Sequence, residues 1–236
     1  MNLLNQCILK ISLNLVSKRI NMVNFINSFD GLMLGDGSIS KGESNINYSY
    51  YQVCKHKEWL EDISYELETN NIKVNIRKQK PRKGGFVNSK IYEVYQLNSK
   101  SLSFFSEQHE KWYIKWYDID NYPERLWHLD NESGDYFIWK KVVPKDILLT
   151  PECVMNFYLS DGHNESKYRV TFATNGFRKD DIEYLVSLLN NNITDYAYMY
   201  RCFIIIGKEK GVKEFFNYIS SLHHPSCYDY KFQELN

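Results

Sequence analysis

Two stretches of the chain place apolar residues at helical spacing and then stop at Asp-Gly. Over 22–35, Phe25, Phe29, Leu32 and Met33 fall at i, i+4, i+7 and i+8, one face of a helix. Gly35-Asp36-Gly37 follows. The second stretch opens on Thr150-Pro151, an N-cap residue followed by proline at the first helical position. Val154, Phe157 and Tyr158 supply its apolar face, and it closes on Ser160-Asp161-Gly162. Gly37 and Gly162 are expected to let the chain leave helical geometry. After each helix comes an alternating segment, 47–53 and 167–174, that reads as a strand. A charged helix follows, closing on Asn70-Asn71-Ile72 in one case and Asn191-Asn192-Ile193 in the other. Then come a hairpin, 73–97 and 196–206, and a helix with a Phe pair, Phe104-Phe105 and Phe215-Phe216.

The same order of elements is thus written twice, and an internal repeat of this length predicts two similar halves. The boundaries read as 1–21, a leader or unstructured N-terminus; 22–107, the first half; 108–149, a connection; and 150–236, the second half. The connection carries Trp112, Trp116, Trp127 and Trp139, so it is expected to be ordered. A length of 236 residues accommodates two halves of roughly 100 residues each.

Composition changes this picture only locally. There are 29 basic and 29 acidic residues, a balance unusual for a nucleic-acid binder. The charge is segregated: 73–83 holds Lys73, Arg77, Lys78, Lys80, Arg82 and Lys83 without an acid, whereas 118–135 is acidic. A neutral sum is therefore compatible with a basic groove. The 19 Tyr and 13 Phe, with abundant Asn, Lys and Ile, match an AT-rich coding sequence, as in an organelle, phage or low-GC bacterium. Five cysteines, an odd number without a CxxC pair, predict reduced thiols, as in an intracellular protein. His223, His224 and Cys227 lie close together but lack a second ligand pair, so no zinc site is expected. No apolar run approaches the roughly 20 residues of a membrane span, and no membrane partner is expected. The first 29 residues carry Lys10, Lys18 and Arg19 but no acid, as a transit peptide, an intron reading-frame leader or initiation at Met22 would each explain.

The two helices carry the chemistry. Packed along their apolar faces, they would bring Asp36 and Asp161 side by side, 125 residues apart in sequence. Two adjacent carboxylates repel unless a cation neutralises them, and oxygen ligands suit Mg²⁺. Alternation in 73–79 turns Val74 and Ile76 one way and Lys73, Asn75, Arg77 and Gln79 the other. In the second half, Tyr168, Val170 and Phe172 are expected inward and Lys167, Arg169 and Thr171 outward. A β-ribbon fits the major groove, where Arg pairs with guanine and Asn or Gln with adenine. Gln52 and Arg201 are added to this surface. Lys80, Arg82 and Lys83, read as a loop with Pro81, Gly84 and Gly85, would contact phosphates.

The segments Phe29-Asp30-Gly31-Leu32-Met33-Leu34-Gly35-Asp36-Gly37 and Val154-Met155-Asn156-Phe157-Tyr158-Leu159-Ser160-Asp161-Gly162 resemble the signature of the LAGLIDADG homing endonucleases. The resemblance covers the chain from about residue 22 and is closest to the branch of the mitochondrial omega-intron endonuclease. It implies an α+β fold: two pseudo-symmetric αββαββα halves, with saddle-shaped antiparallel sheets, packed through the two motif helices. It implies a monomer without an obligate protein partner that cuts both strands of a long duplex DNA, using Mg²⁺, with Mn²⁺ substituting. Asp36 and Asp161, helped by the backbone carbonyls of Gly35 and Ser160, would hold the metal. Lys141, three residues before Pro144, and Lys231, after Tyr230, match catalytic lysines of that branch. A mitochondrial setting follows more readily than a chloroplast, phage or bacterial one. The alternative is an RNA maturase on the same fold, acting on its own intron RNA; retention of both acids favours cleavage. A non-catalytic regulator of this fold would be expected to bring a helix-turn-helix domain, for which no room is found, and an intein origin is not expected. Asn156, where Gly31 stands in the first motif, predicts a looser helix crossing on that side.

Overall fold

Helix α1, over residues 21–34, passes directly into strand β1 (Ser38–Ser40), and the first sheet grows from there. The computed structural model describes residues 21–42, 46–83 and 91–233, with backbone alone at 82, 83 and 91. The expected leader, apart from residue 21, and the Gly84-Gly85 end of the expected phosphate loop lie outside the described residues.

The first half continues through β2 (Ser49–Cys54), α2 (Lys57–Thr69), β3 (Val74–Lys83), β4 (Ile91–Ser99) and α3 (Ser103–Trp112). Its strands form one antiparallel sheet in the order β1-β2-β4-β3. The second half repeats the pattern as α4 (Pro151–Asp161), β8 (Gly162–Ser166), β9 (Arg169–Ala173), α5 (Lys179–Asn192), β10 (Ala197–Tyr200), β11 (Phe203–Gly207) and α6 (Glu209–Ile219). Its sheet runs β10-β11-β9-β8, the same topology read from the other edge. The fold is αββαββα twice over, and a short α7 (Asp229–Phe232) follows the second copy.

Local chemistry explains the boundaries. Thr150 caps α4, its hydroxyl accepting from the Cys153 N–H at 3.3 Å, and Pro151 starts the helix. Asn71, with φ 63°, takes the left-handed turn that ends α2, a conformation asparagine tolerates better than most residues. Gly162 is different from expectation: its φ of −80° needs no glycine. The reason for glycine is space, since a Cβ there would lie 2.0 Å from the Tyr158 ring and 2.5 Å from its carbonyl oxygen. Gly37 is crowded alike, by the Leu32 carbonyl at 2.6 Å and the Tyr50 ring at 2.9 Å.

The connection is more than an ordered strap. Residues 108–112 finish α3, and β5 (Tyr113–Trp116), β6 (His128–Leu129) and β7 (Tyr136–Lys141) form a three-stranded antiparallel sheet in the order β5-β7-β6. It is anchored by Asp30 of α1, which accepts from Lys111 at 2.9 Å and from the indole N–H of fully buried Trp112 at 3.2 Å. A buried carboxylate is retained only with such partners.

The helix crossing sits at the centre of a single core cluster shared by both halves. A Cβ on Gly31 would lie 2.1 Å from the Cys153 carbonyl oxygen, so the backbones nearly touch there. At the equivalent point Asn156 donates its side-chain N–H groups to the Ser28 carbonyl at 3.0 Å and the Ser28 hydroxyl at 2.8 Å. The anticipated loosening is instead a polar bridge, satisfied and buried.

Candidate active site

The C-terminal ends of α1 and α4 meet at Gly35 and Ser160, where a Cβ on Gly35 would lie 2.2 Å from the Ser160 Cβ. Asp36 and Asp161 are the next residues, so the contact that glycine permits is what sets the two carboxylates beside each other. Asp36 opens to solvent on one side, yet burial beneath it raises its carboxyl above the ordinary range, against the pull of Lys141 and Lys231. Asp161 is half-buried. Burial raises its carboxyl to about 7, and the Asp36 charge adds to the effect. A cation beside such a pair favours the ionised form of both carboxyls.

Two lysines complete the cluster from opposite directions. Lys141, at the end of β7, donates to the carbonyls of Gly35 at 3.0 Å and Gly37 at 2.8 Å. Lys231, in α7, is 5% exposed and donates to the carbonyls of Tyr158, Leu159 and Gly162 at 2.9, 2.7 and 2.7 Å. Each ammonium thus donates to carbonyls at and just beyond the end of one motif helix, where the helix dipole favours positive charge. Burial lowers both lysines to about 8, with the two aspartates opposing the shift. All three N–H groups of Lys231 are used by carbonyls, whereas two of Lys141 are.

Oxygen dominates the donor set. The two carboxylates, the Gly35 carbonyl and the Ser160 hydroxyl, a buried oxygen without a hydrogen-bond partner, suit a hard divalent cation. Among the described residues no group of three or more His, Cys, Asp or Glu side chains could hold a metal, so a cation here would rest on this pair and on carbonyl oxygens or water. His224 stacks on Phe232 at 3.7 Å and contacts Asp229, which makes it a packing residue. The described cysteines 54, 153, 202 and 227 are free thiols.

The strand register sorts the other expected contacts. Asn75 pairs with Asn98, Arg77 with Gln96 and Gln79 with Val94, which places all six on the outer face of the first sheet. Gln79 donates to Gln96 at 2.8 Å, and Gln96 donates to Asn98 at 2.7 Å, a chain of amides across two strands. Gln96 and Asn98 were not anticipated, although their alternation with buried Leu97 marks them. Lys73, just before β3, and Lys80 are exposed.

Gln52 does not belong to this surface. It pairs with Leu97 on the core face, is 1% exposed and accepts a hydrogen bond from the Tyr50 hydroxyl. Lys80, Arg82 and Lys83 are not a loop: β3 runs to Lys83, with Arg82 opposite Tyr92 and a bulge between Gln79 and Arg82 that accommodates Pro81. In the second sheet Arg169 and Thr171 do face outward, and Glu165 accepts from both, at 3.4 and 2.5 Å. Lys167 and Arg201 occupy exposed hairpin turns, Arg201 with φ 57°. Tyr168, expected inward, is in the β8–β9 turn and 53% exposed, because the strand begins one residue later.

The model of the LAGLIDADG DNA endonuclease family matches residues 27–128. The chain is 28% identical over 214 residues to the cytochrome b mRNA maturase bI2 of Saccharomyces cerevisiae, covering 81% of this chain and 43% of that protein. It is 24% identical over 160 residues to the uncharacterised protein MJ1098 of Methanocaldococcus jannaschii, covering 66% of this chain and 51% of that one. The chain spans about half the length of these curated relatives. The structure of the homing endonuclease I-WcaI bound to its DNA recognition sequence has the same fold, with a TM-score of 0.61 at 16% identity over 89% of this chain and 86% of that one. A variant of I-DmoI with its nicked target DNA and 2 mM Mn gives a TM-score of 0.50 at 15% identity, covering 86% and 98%. The family match over 27–128 and the doubled αββαββα architecture make the chain similar to the LAGLIDADG DNA endonucleases in sequence over its first half and in fold throughout.

Proposed function

We propose that the chain is a sequence-specific endonuclease that breaks both strands of a long duplex DNA with divalent cations, Mg²⁺ first among them, held at Asp36 and Asp161. The observation that carries this reading is the pairing of two carboxylates at the touching ends of α1 and α4. Bound there, divalent metal would lower the pKa of an attacking water and offset charge on the leaving oxygen. The chain's own groups do the rest. Gly35 and Ser160 fix the spacing of the acids, and Lys141 and Lys231 lock the helix ends and balance the acids' charge. Asn75, Arg77, Gln79, Gln96 and Asn98 read base edges, and exposed Lys73 and Lys80 hold phosphates, so that the duplex is delivered in register. Presence of Mn with target DNA in the I-DmoI structure supports divalent metal, without choosing Mg²⁺. Both motifs lie in one chain and cover each other's apolar face, which supports a monomer.

Cleavage of a randomised duplex library in Mg²⁺ tests the reading. Wild-type protein should linearise a defined subset, and Asp36→Asn or Asp161→Asn should bind that subset without cutting it. Normal cutting by either variant rejects the assignment.

The second reading, an intron RNA maturase, is favoured by similarity to the cytochrome b mRNA maturase, which also supports a mitochondrial setting. Stimulated splicing of the host intron by the Asp161→Asn protein would establish it independently of cleavage.

A further inference from the structure

The far end of the second sheet holds a cleft that the two-carboxylate site does not use. Its floor is Gly207, the last residue of β11. Its walls are Tyr198 of β10, the β8–β9 turn with Tyr168 and Arg169, and Lys208. The Tyr198 ring meets Gly207 edge-on: its Cε1 is 3.1 Å, and its hydroxyl 3.9 Å, from where a Cβ on that residue would stand. A side chain at 207 would displace the ring, whereas glycine lets its edge approach the backbone while the ring stays exposed. Tyr198 and Tyr168 are both exposed.

Polar groups ring these aromatics. Lys208 is a non-glycine residue held at φ 62°, a strained conformation of the kind that clusters at functional positions. Its ammonium lies 4.8 Å from the centroid of the Tyr196 ring. Opposite, Glu165 accepts from Arg169 and Thr171, and the Ser166 hydroxyl accepts from the Tyr168 N–H at 3.2 Å. The cleft therefore offers an apolar plane, two cations and an acceptor edge.

That set matches one chemical group, a nucleotide whose base is unpaired. In a duplex both faces of a base are covered by its neighbours and only the edges are free. An exposed aromatic ring beside cations recognises a base that has left the stack. β8 begins at Gly162, immediately after Asp161, and the cleft lies at the other end of that strand, roughly 15 Å away at a strand's rise per residue. It is thus at the margin of the face that would carry nucleic acid.

The geometry points to a binding pocket for a single unpaired nucleotide, its base stacked on Tyr198 and its phosphate held by Lys208 and Arg169. This deepens, and rests on, the reading of the sheets' outer faces as the nucleic-acid surface. The unpaired nucleotide can belong to RNA or to a single-stranded DNA segment, and the test separates the two.

Binding of the full chain to short labelled uridine RNA and thymidine DNA strands of one length, and to a cleavable duplex, is measured by fluorescence anisotropy. Tyr198→Ala should weaken single-strand binding about tenfold or more, while Tyr198→Phe, which keeps the ring, binds as wild type. Lys208→Gly removes the cation and relieves the backbone strain, so weakened binding in that variant cannot come from a failure to fold. Tighter binding of RNA than DNA assigns the pocket to RNA; equal binding assigns it to the unpaired base itself. No single-strand binding by the wild type, or single-strand binding unchanged by Tyr198→Ala, overturns the proposal. The parent reading is judged separately: a duplex insensitive to Arg77→Ala speaks against the sheets as the reading surface, whatever the single strands do.

Discussion

Gly35 and Ser160 approach so closely that even one methyl group on Gly35 would stand inside the Ser160 side chain, at 2.2 Å from its Cβ. The spacing of Asp36 and Asp161 follows from that contact. Gly35→Ala should force the helices apart and lower stability by about 1–3 kcal/mol. Ser160→Gly in the same chain should restore much of the loss, because it removes the atoms that clash. Thermal melts of the single and double variants check this. A double variant no more stable than Gly35→Ala would mean that the strain lies elsewhere.

Gly31→Ala is expected to behave differently, since the atom in its way is the Cys153 carbonyl oxygen at 2.1 Å, part of the backbone. No single side-chain deletion should rescue it. A suppressor at Cys153 that returned the melting temperature to the wild-type value would contradict the geometry.

The metal-free cluster should make stability depend on pH in an unusual way. Asp161 is raised to about 7, so between its unfolded value near 4 and that point the native state holds more protons than the unfolded chain. Stability contributed by this group therefore falls as pH rises through that window. Lys141 and Lys231 are lowered to about 8, so the unfolded chain holds more protons from there up to their ordinary range, and their contribution rises with pH. The two effects leave a minimum near pH 7–8 in chelator-containing buffer. Asp161→Asn should raise the melting temperature by about 2–4 °C at pH 7.5 and change it far less at pH 4, where the native aspartate is protonated and the unfolded one about half so. Scanning calorimetry at the two pH values decides.

Replacing Lys231 with Met removes a buried donor from three carbonyls, of Leu159, Gly162 and Tyr158, the last of which keeps the Gly162 N–H. The loss should be about 2–4 kcal/mol. Lys141→Met strips two carbonyls and should cost less. Urea titrations of both variants measure the order, and equal midpoints would show that the ammonium groups are not holding the helix ends.

Arg77→Ala should weaken binding chiefly for targets with one particular base at one position, by about 1–3 kcal/mol. Gln52→Leu should change stability and leave the target preference untouched, because Gln52 lies beneath the sheet. A panel of single-base target variants distinguishes them; uniform loss for Arg77→Ala would remove its strand from the reading surface.

The doubled motif, the element order and the Thr150 cap were legible because each is local: a helical stripe, an alternation, a cap residue before proline. Asp36, Asp161, Lys141 and Lys231 could be singled out by their place beside those motifs, and the fold does bring the four within electrostatic reach. What was not legible depends on register. In 49–54 both alternating sets mix polar and apolar side chains, so only the pairing of Gln52 with Leu97 reveals that Gln52 turns inward. The connecting sheet needs β5 to find β7 across an acidic stretch with no periodicity to announce it. Pro81 suggested a loop, whereas the strand absorbs it at a bulge.

The amide chain through Gln79, Gln96 and Asn98 has a consequence for how such a protein changes over generations. Each amide is oriented by the next, so the group presented by Gln79 depends on what stands at 96, and that of Gln96 on what stands at 98. A substitution at one site reorients its neighbours, and its effect depends on the genetic background in which it arises. Retargeting through this strand pair would then proceed by inherited blocks of two or three residues, with most single-step intermediates recognising neither the old site nor the new one.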